Sequence, residues 1–232
     1  MVVPNLSHLS MGKDLITFSG QLDLVAAFIR HHFILEPVKV VGISFGGAIA
    51  WGLAIRYPEL IDRVVFINPM PPAPVHSFKL ASLRLFYSFP WGLNAISWFL
   101  TLPLGHRFLR STGSVFRNLS GENDEERLDH LKGRKLLFVS HLLHKFGWIL
   151  RNERWDMWIK KLDFWTHDCL LIYEERDPLF AVEFYQEFSR TLACDKVVTT
   201  KEAGHISILN QPEIISQAIL DFLLGRPEVK AS

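Results

Sequence analysis

Three side chains in this 232-residue chain have the types and settings to break an acyl bond together: Ser44, Asp177 and His205. Ser44 stands in Val41-Gly42-Ile43-Ser44-Phe45-Gly46-Gly47. A serine hydroxyl is a poor nucleophile until it is exposed and given a base. Glycines around a serine remove side chains that would clash in a sharp strand-to-helix turn, and such a turn exposes the hydroxyl. His205, after Gly204, can serve as the base. Asp177, in Glu174-Glu175-Arg176-Asp177-Pro178, can orient that base. Each residue also has a plainer reading. The glycines suit a turn that packs a helix closely on a strand. Asp177 suits a turn before Pro178, with Glu174 or Glu175 competing for its role. His205 is one of ten histidines.

In a parallel α/β sheet, reacting groups gather on loops beyond the carboxyl ends of the strands. The sequence provides such a frame. Val38 to Val41 is a short β-branched run, as a core strand requires. An Ala-rich helix then runs from Ser44 to about Arg56, and its N-terminus places unpaired N–H groups beside the serine. Ahead of the strand, Leu22, Leu24, Val25, Phe28 and Ile29 recur at helical spacing and predict a helix from about Phe18 to His32. Thr17 or Ser19 is its expected cap. Met1 to Pro4 suits a further strand. Downstream, Arg63–Asn68, Cys169–Tyr173 and Lys196–Thr200 read as strands, with helices over Ala181–Thr191 and from Pro212 to about Gly225. Ser44, Asp177 and His205 each follow a strand. The fold class is therefore α/β, with a mostly parallel sheet flanked by helices.

The chain has 25 basic and 24 acidic residues, a net charge of +1, which gives no electrostatic case for nucleic acid. Apolar residues make up 49%, ample for a core. Two cysteines, Cys169 and Cys194, make no disulfide framework, and Cys169 reads as a buried small residue. No secretory signal is visible, so the expected localisation is cytoplasmic and reducing. Residues from about Met70 to Asp163 read as an insertion of amphipathic helices rich in Phe and Trp. Within it, Leu85 to Gly105 carries no charge, but Pro90, Pro103 and Asn94 argue against a membrane-spanning helix. Asn118-Leu119-Ser120 fits a glycosylation sequon by chance. His31, His32, His141 and His144 lie on helical patterns without carboxylate or cysteine partners, so neither a metal nor a cofactor is expected.

The order Ser44, Asp177, His205, together with these motifs, resembles the α/β-hydrolase superfamily from about residue 1 to residue 225. Tyr57-Pro58-Glu59-Leu60-Ile61-Asp62-Arg63-Val64-Val65 resembles the segment leading to the strand after the elbow. Glu175-Arg176-Asp177-Pro178 resembles the acid loop. Gly204-His205 with Gln211-Pro212-Glu213 resembles the histidine loop and terminal helix. The resemblance implies residues 1–69 and 164–232 as the two parts of the core and 70–163 as a helical lid. It implies a serine hydrolase acting on an ester, thioester or related acyl bond of a small apolar substrate. His205 takes the Ser44 proton, Asp177 stabilises the imidazolium, and the Phe45 N–H is one oxyanion donor. Cleavage of a carbon–carbon bond fits the same triad.

The beginning is short against the family pattern. About three strands and the His-Gly loop that supplies the second oxyanion donor have no counterpart ahead of the elbow. The third of these strands normally lies beside the elbow strand, and its absence predicts an exposed or rearranged sheet edge. A catalytically impaired or non-catalytic hydrolase-like protein is accordingly the alternative reading. A third has the chain dock peripherally on a membrane through Leu85–Gly105.

Overall fold

The computed structural model describes residue 2, residues 17–70, residue 149, and residues 153–177 and 179–225. The N-terminal strand expected around Val3, nearly all of the segment expected to form a lid, its uncharged run, the sequon at Asn118, and His141 and His144 lie outside the described residues.

Among the described residues four strands form one parallel sheet whose spatial order follows the chain: β1 (Val38–Ile43), β2 (Ile61–Ile67), β3 (Asp168–Glu174) and β4 (Lys196–Thr200). Ile43 pairs with Ile67, and Ile67 with Ile172, so the first three strands end level with one another. Helix α1 (Phe18–His32) precedes the sheet, and α2 (Phe45–Arg56) crosses from β1 to β2. Helix α3 (Trp155–Leu162) leads into β3, α4 (Val182–Leu192) joins β3 to β4, and α5 (Ser207–Asn210) and α6 (Pro212–Leu224) close the chain. Such parallel strands need covering on both faces. Val64, Phe66, Cys169, Leu171 and Tyr173 face a core built with α1, α2, α3 and α4. The alternate residues Val65, Ile67, Leu170 and Ile172 face Ile215 and Ala218 of α6.

The local signals act where the sequence puts them. Thr17 caps α1, its Oγ1 accepting from the Gly20 N–H at 2.9 Å. Pro212 opens α6, and Gly225 closes it in the left-handed conformation at φ 64°. Strand β1 runs two residues past its predicted end, β3 gains one residue at each end, and β2 starts two residues early and stops one short, at Ile67. The aromatic richness has a partial explanation in packing. Phe18 meets Trp51, Trp155 and Trp158 at 5.1–5.2 Å between ring centroids, and all four rings are buried. Burying each such side chain contributes roughly 1.5–3 kcal/mol. Trp155 and Trp158 thus hold α3 against α1 and α2. Glu153 secures the same corner, accepting from the Trp158 indole at 2.8 Å and the Phe18 N–H at 3.2 Å.

Among the described residues β1 is an edge strand, with Val41 exposed and the nearby Ile34 and Leu35 largely so. No helix among the described residues is long and apolar enough to cross a membrane.

Candidate active site

Ser44 stands between the end of β1 and the first residue of α2. Its backbone is strained, at φ 52° and ψ −117°. A non-glycine residue there costs on the order of 1–3 kcal/mol and persists only where its surroundings enforce it. Here they do. The Ser44 N–H donates to Ile67 O at 3.0 Å, extending the β1–β2 ladder by one bond. Its carbonyl accepts from Gly47 at 2.9 Å, Ala48 at 3.2 Å and Met70 at 2.9 Å. The glycines are not equivalent. A Cβ on Gly42 would lie 2.4 Å from the Gly46 carbonyl oxygen, and one on Gly47 would lie 2.6 Å from Pro69 Cβ. A Cβ on Gly46 would meet nothing within 4 Å. The close approach that makes the turn therefore rests on Gly42 and Gly47.

The three strand-end candidates come together. His205 Nε2 lies 2.8 Å from Ser44 Oγ, and its Nδ1 lies 2.7 Å from Asp177 Oδ2. The imidazole and the carboxylate are both buried. Asp177 Oδ1 accepts from the Leu179 N–H at 2.7 Å and the Phe180 N–H at 3.2 Å, leaving Oδ2 for the ring. The Phe180 ring packs near-perpendicular to His205, 5.4 Å between centroids. Phe45, the expected oxyanion donor, is the first residue of α2.

The competing carboxylates have other work. Glu174 is buried at the end of β3 and points to the loop that carries His205. It accepts from the Thr200 hydroxyl and the Ala203 N–H at 2.9 Å, from the Glu202 N–H at 3.0 Å and from the Arg176 N–H at 3.2 Å. A buried carboxylate is tolerable when every lone pair is occupied in this way. Glu175 is turned outward, 3.4 Å from Lys201. His31 and His32 end α1 on the exposed side. Among the described residues no three His, Cys, Asp or Glu side chains are grouped to hold a metal ion.

Two supporting residues escape a reading of the sequence. Asn68, just past β2, adopts φ 42° and bridges two chain segments. Its Nδ2 donates to His205 O at 2.6 Å and Ser207 Oγ at 3.0 Å, and its Oδ1 accepts from the Glu174 N–H at 2.7 Å. Tyr185, on α4, donates its hydroxyl to Asp177 Oδ2 at 2.6 Å, so that oxygen serves both ring and phenol. Burial, then the charge of Asp177, push the Tyr185 pKa well above the usual phenol value, so it remains a donor. The only signal for Asn68 was its place at a strand end. Tyr185 carried none, since an aromatic on a helix usually means core.

A parallel sheet covered by helices on both faces, with a strained serine between the first described strand and its helix, defines the α/β-hydrolase architecture. A family model for the alpha/beta hydrolase fold matches residues 13–212, and the chain belongs to that family. It is 31% identical over 199 residues to polyneuridine aldehyde esterase of Rauvolfia serpentina, covering 80% of this chain and 69% of that protein. Among solved structures, it superposes on an α/β hydrolase enzyme from a Medee basin deep-sea metagenome library with TM-score 0.68 and 19% identity. That match covers 95% of this chain and 76% of the other. A thermophilic esterase from Thermogutta terrifontis matches with TM-score 0.64 and 17% identity, over 90% of this chain and 73% of the esterase. At those identities the solved structures speak for the fold alone.

Proposed function

We propose that this protein is a serine hydrolase that cleaves an ester, thioester or related acyl bond of a small apolar substrate. The observation that carries the reading is the unbroken hydrogen-bond line from Ser44 Oγ through His205 to Asp177, at 2.8 and 2.7 Å. Those lengths are within reach for proton transfer. Ser44 attacks the acyl carbon while His205 Nε2 accepts its proton. Asp177 holds Nδ1–H, fixes the tautomer and stabilises the imidazolium that forms. The proton then passes from Nε2 to the leaving oxygen or sulfur, giving the acyl-enzyme on Ser44. Water, activated by the same imidazole, releases the acid. The Phe45 N–H, at the start of α2, serves in this reading as one oxyanion donor, and loss of such a donor typically costs about 2.7–4 kcal/mol.

The name of the Rauvolfia relative speaks of ester cleavage, which favours ester over carbon–carbon chemistry here. Phe180 beside the His205 imidazole favours an apolar substrate. The test is a panel of p-nitrophenyl esters of increasing acyl length, assayed with wild type and Ser44→Ala. The expected result is hydrolysis of one or more esters, reduced roughly a thousandfold or more by the substitution. Absence of hydrolysis across the panel, or equal rates in the two proteins, would favour the non-catalytic reading.

A further inference from the structure

The chain has two cysteines, and the fold brings them together at the end of the sheet opposite the site. Cys169 is the second residue of β3, and Cys194 follows α4 just before β4. Both are free thiols, with the Cys169 S–H donating to Cys194 Sγ at 2.8 Å. Two neighbouring features hold this approach. The Cys169 N–H donates to Asp195 Oδ2 at 2.8 Å. Ala193 ends α4 in the left-handed conformation at φ 46°, and the Cys194 N–H donates back to Ser189 O at 3.1 Å. The two sulfurs differ in access: Cys169 is fully buried and Cys194 half-buried.

We propose that Cys169 and Cys194 form a reversible disulfide that staples the acid-bearing segment of the fold, with a small-molecule disulfide as oxidant. Cys194, the accessible sulfur, attacks as its thiolate one sulfur of the oxidant. An S–S bond forms to Cys194, and one small thiolate leaves. The hydrogen bond to Cys194, then burial, push the Cys169 pKa up and keep this thiol protonated in the reduced pair. The mixed disulfide removes the thiol partner that makes the largest contribution. Cys169 then gives its proton to the medium and attacks Cys194 Sγ, expelling the second small thiolate. Two protein thiols are oxidised, and one small disulfide is reduced to two thiols. The new bond closes the segment 169–194. That segment contains Asp177 and Tyr185, so the staple restrains the loop holding the carboxylate while lying away from Ser44.

The experiment equilibrates the full-length protein in glutathione buffers from fully reduced to fully oxidised. Free thiols are counted by maleimide-PEG gel shift, and the linkage is identified by peptide mass. The expected result is one intrachain Cys169–Cys194 bond, reversed by reductant, with a Tm roughly 5–10 °C above the reduced protein. The Cys194→Ser variant is expected to show no such redox dependence of Tm. Should that variant fail to fold, the reduced and oxidised wild-type protein decide the matter alone. Two thiols untouched at full oxidation, a lasting glutathione adduct, a bond between two chains, or an internal bond with no gain in Tm would each overturn the proposal.

Discussion

Replacing Tyr185 by Phe removes one hydroxyl from Asp177 and leaves the ring packing in place. The phenol is buried, stacked on Tyr173 at 5.1 Å, and donates to Asp177 Oδ2 at 2.6 Å. A hydrogen bond to a buried charged group contributes about 1.5–3 kcal/mol, so Tyr185→Phe should be destabilised by that amount near neutral pH. The pH dependence sharpens the test. Burial and the Asp177 charge raise the Tyr185 pKa in the folded state, whereas the unfolded phenol titrates near its usual value of about 10. The unfolded state therefore loses this proton first. The stability contribution is fully present below about pH 10. It falls by about 1.4 kcal/mol per pH unit above that, until the folded phenol ionises as well. The variant lacks this loss. The gap between the two proteins should hold from pH 7 to 9 and narrow progressively above about pH 10. Urea denaturation of both proteins from pH 7 to 12 measures it, and groups common to both cancel in the difference. A gap that stays constant across pH 10 would refute the picture of a protonated phenol held against an ionised Asp177.

Three further substitutions probe the scaffold. Gly42→Ala forces a Cβ to within 2.4 Å of the Gly46 carbonyl and should abolish soluble folded protein. Gly46→Ala meets nothing within 4 Å and should melt within about 0.5 kcal/mol of wild type by thermal denaturation. Asn68→Ala leaves the Glu174 N–H and the His205 carbonyl without their partner and should cost about 1–3 kcal/mol for each group that stays dry, read from urea midpoints. Asp177→Asn keeps the shape but loses the charge facing His205 Nδ1. It should lower kcat by roughly four orders of magnitude with little change in KM, measured on the best ester of the panel.

The frame of this site was open to reading because it is local. Val38–Val41, Arg63–Asn68, Cys169–Tyr173 and Lys196–Thr200 are apolar runs bounded by turns, and each of the three candidates follows one of them directly. Knowing that the sheet is parallel then suffices to bring Ser44, Asp177 and His205 to one end. What escaped is long-range. Asn68 meets His205 across 137 positions and Glu174 across 106, and no pattern in the chain links them. Glu174 looked like a rival to Asp177 because both are acids on one loop. Only the three-dimensional path of the histidine loop shows that one carboxylate binds its backbone while the other binds its ring. The glycine string was similarly blunt. It presents Gly42 and Gly46 as a pair flanking the serine, whereas the contact distances shift the burden to Gly42 and Gly47. Within the aromatic-rich insertion, Trp155 and Trp158 serve packing because α3 lies against α1 and α2.

The activation of Ser44 by His205 is tested most directly by labelling the folded protein with a fluorophosphonate and locating the adduct by peptide mass. The account predicts one stoichiometric adduct on Ser44, absent in Ser44→Ala and slowed about a thousandfold or more in His205→Ala. A folded wild-type protein that takes no label under conditions that saturate another serine hydrolase would contradict it. So would labelling of Ser44 at an unchanged rate without His205.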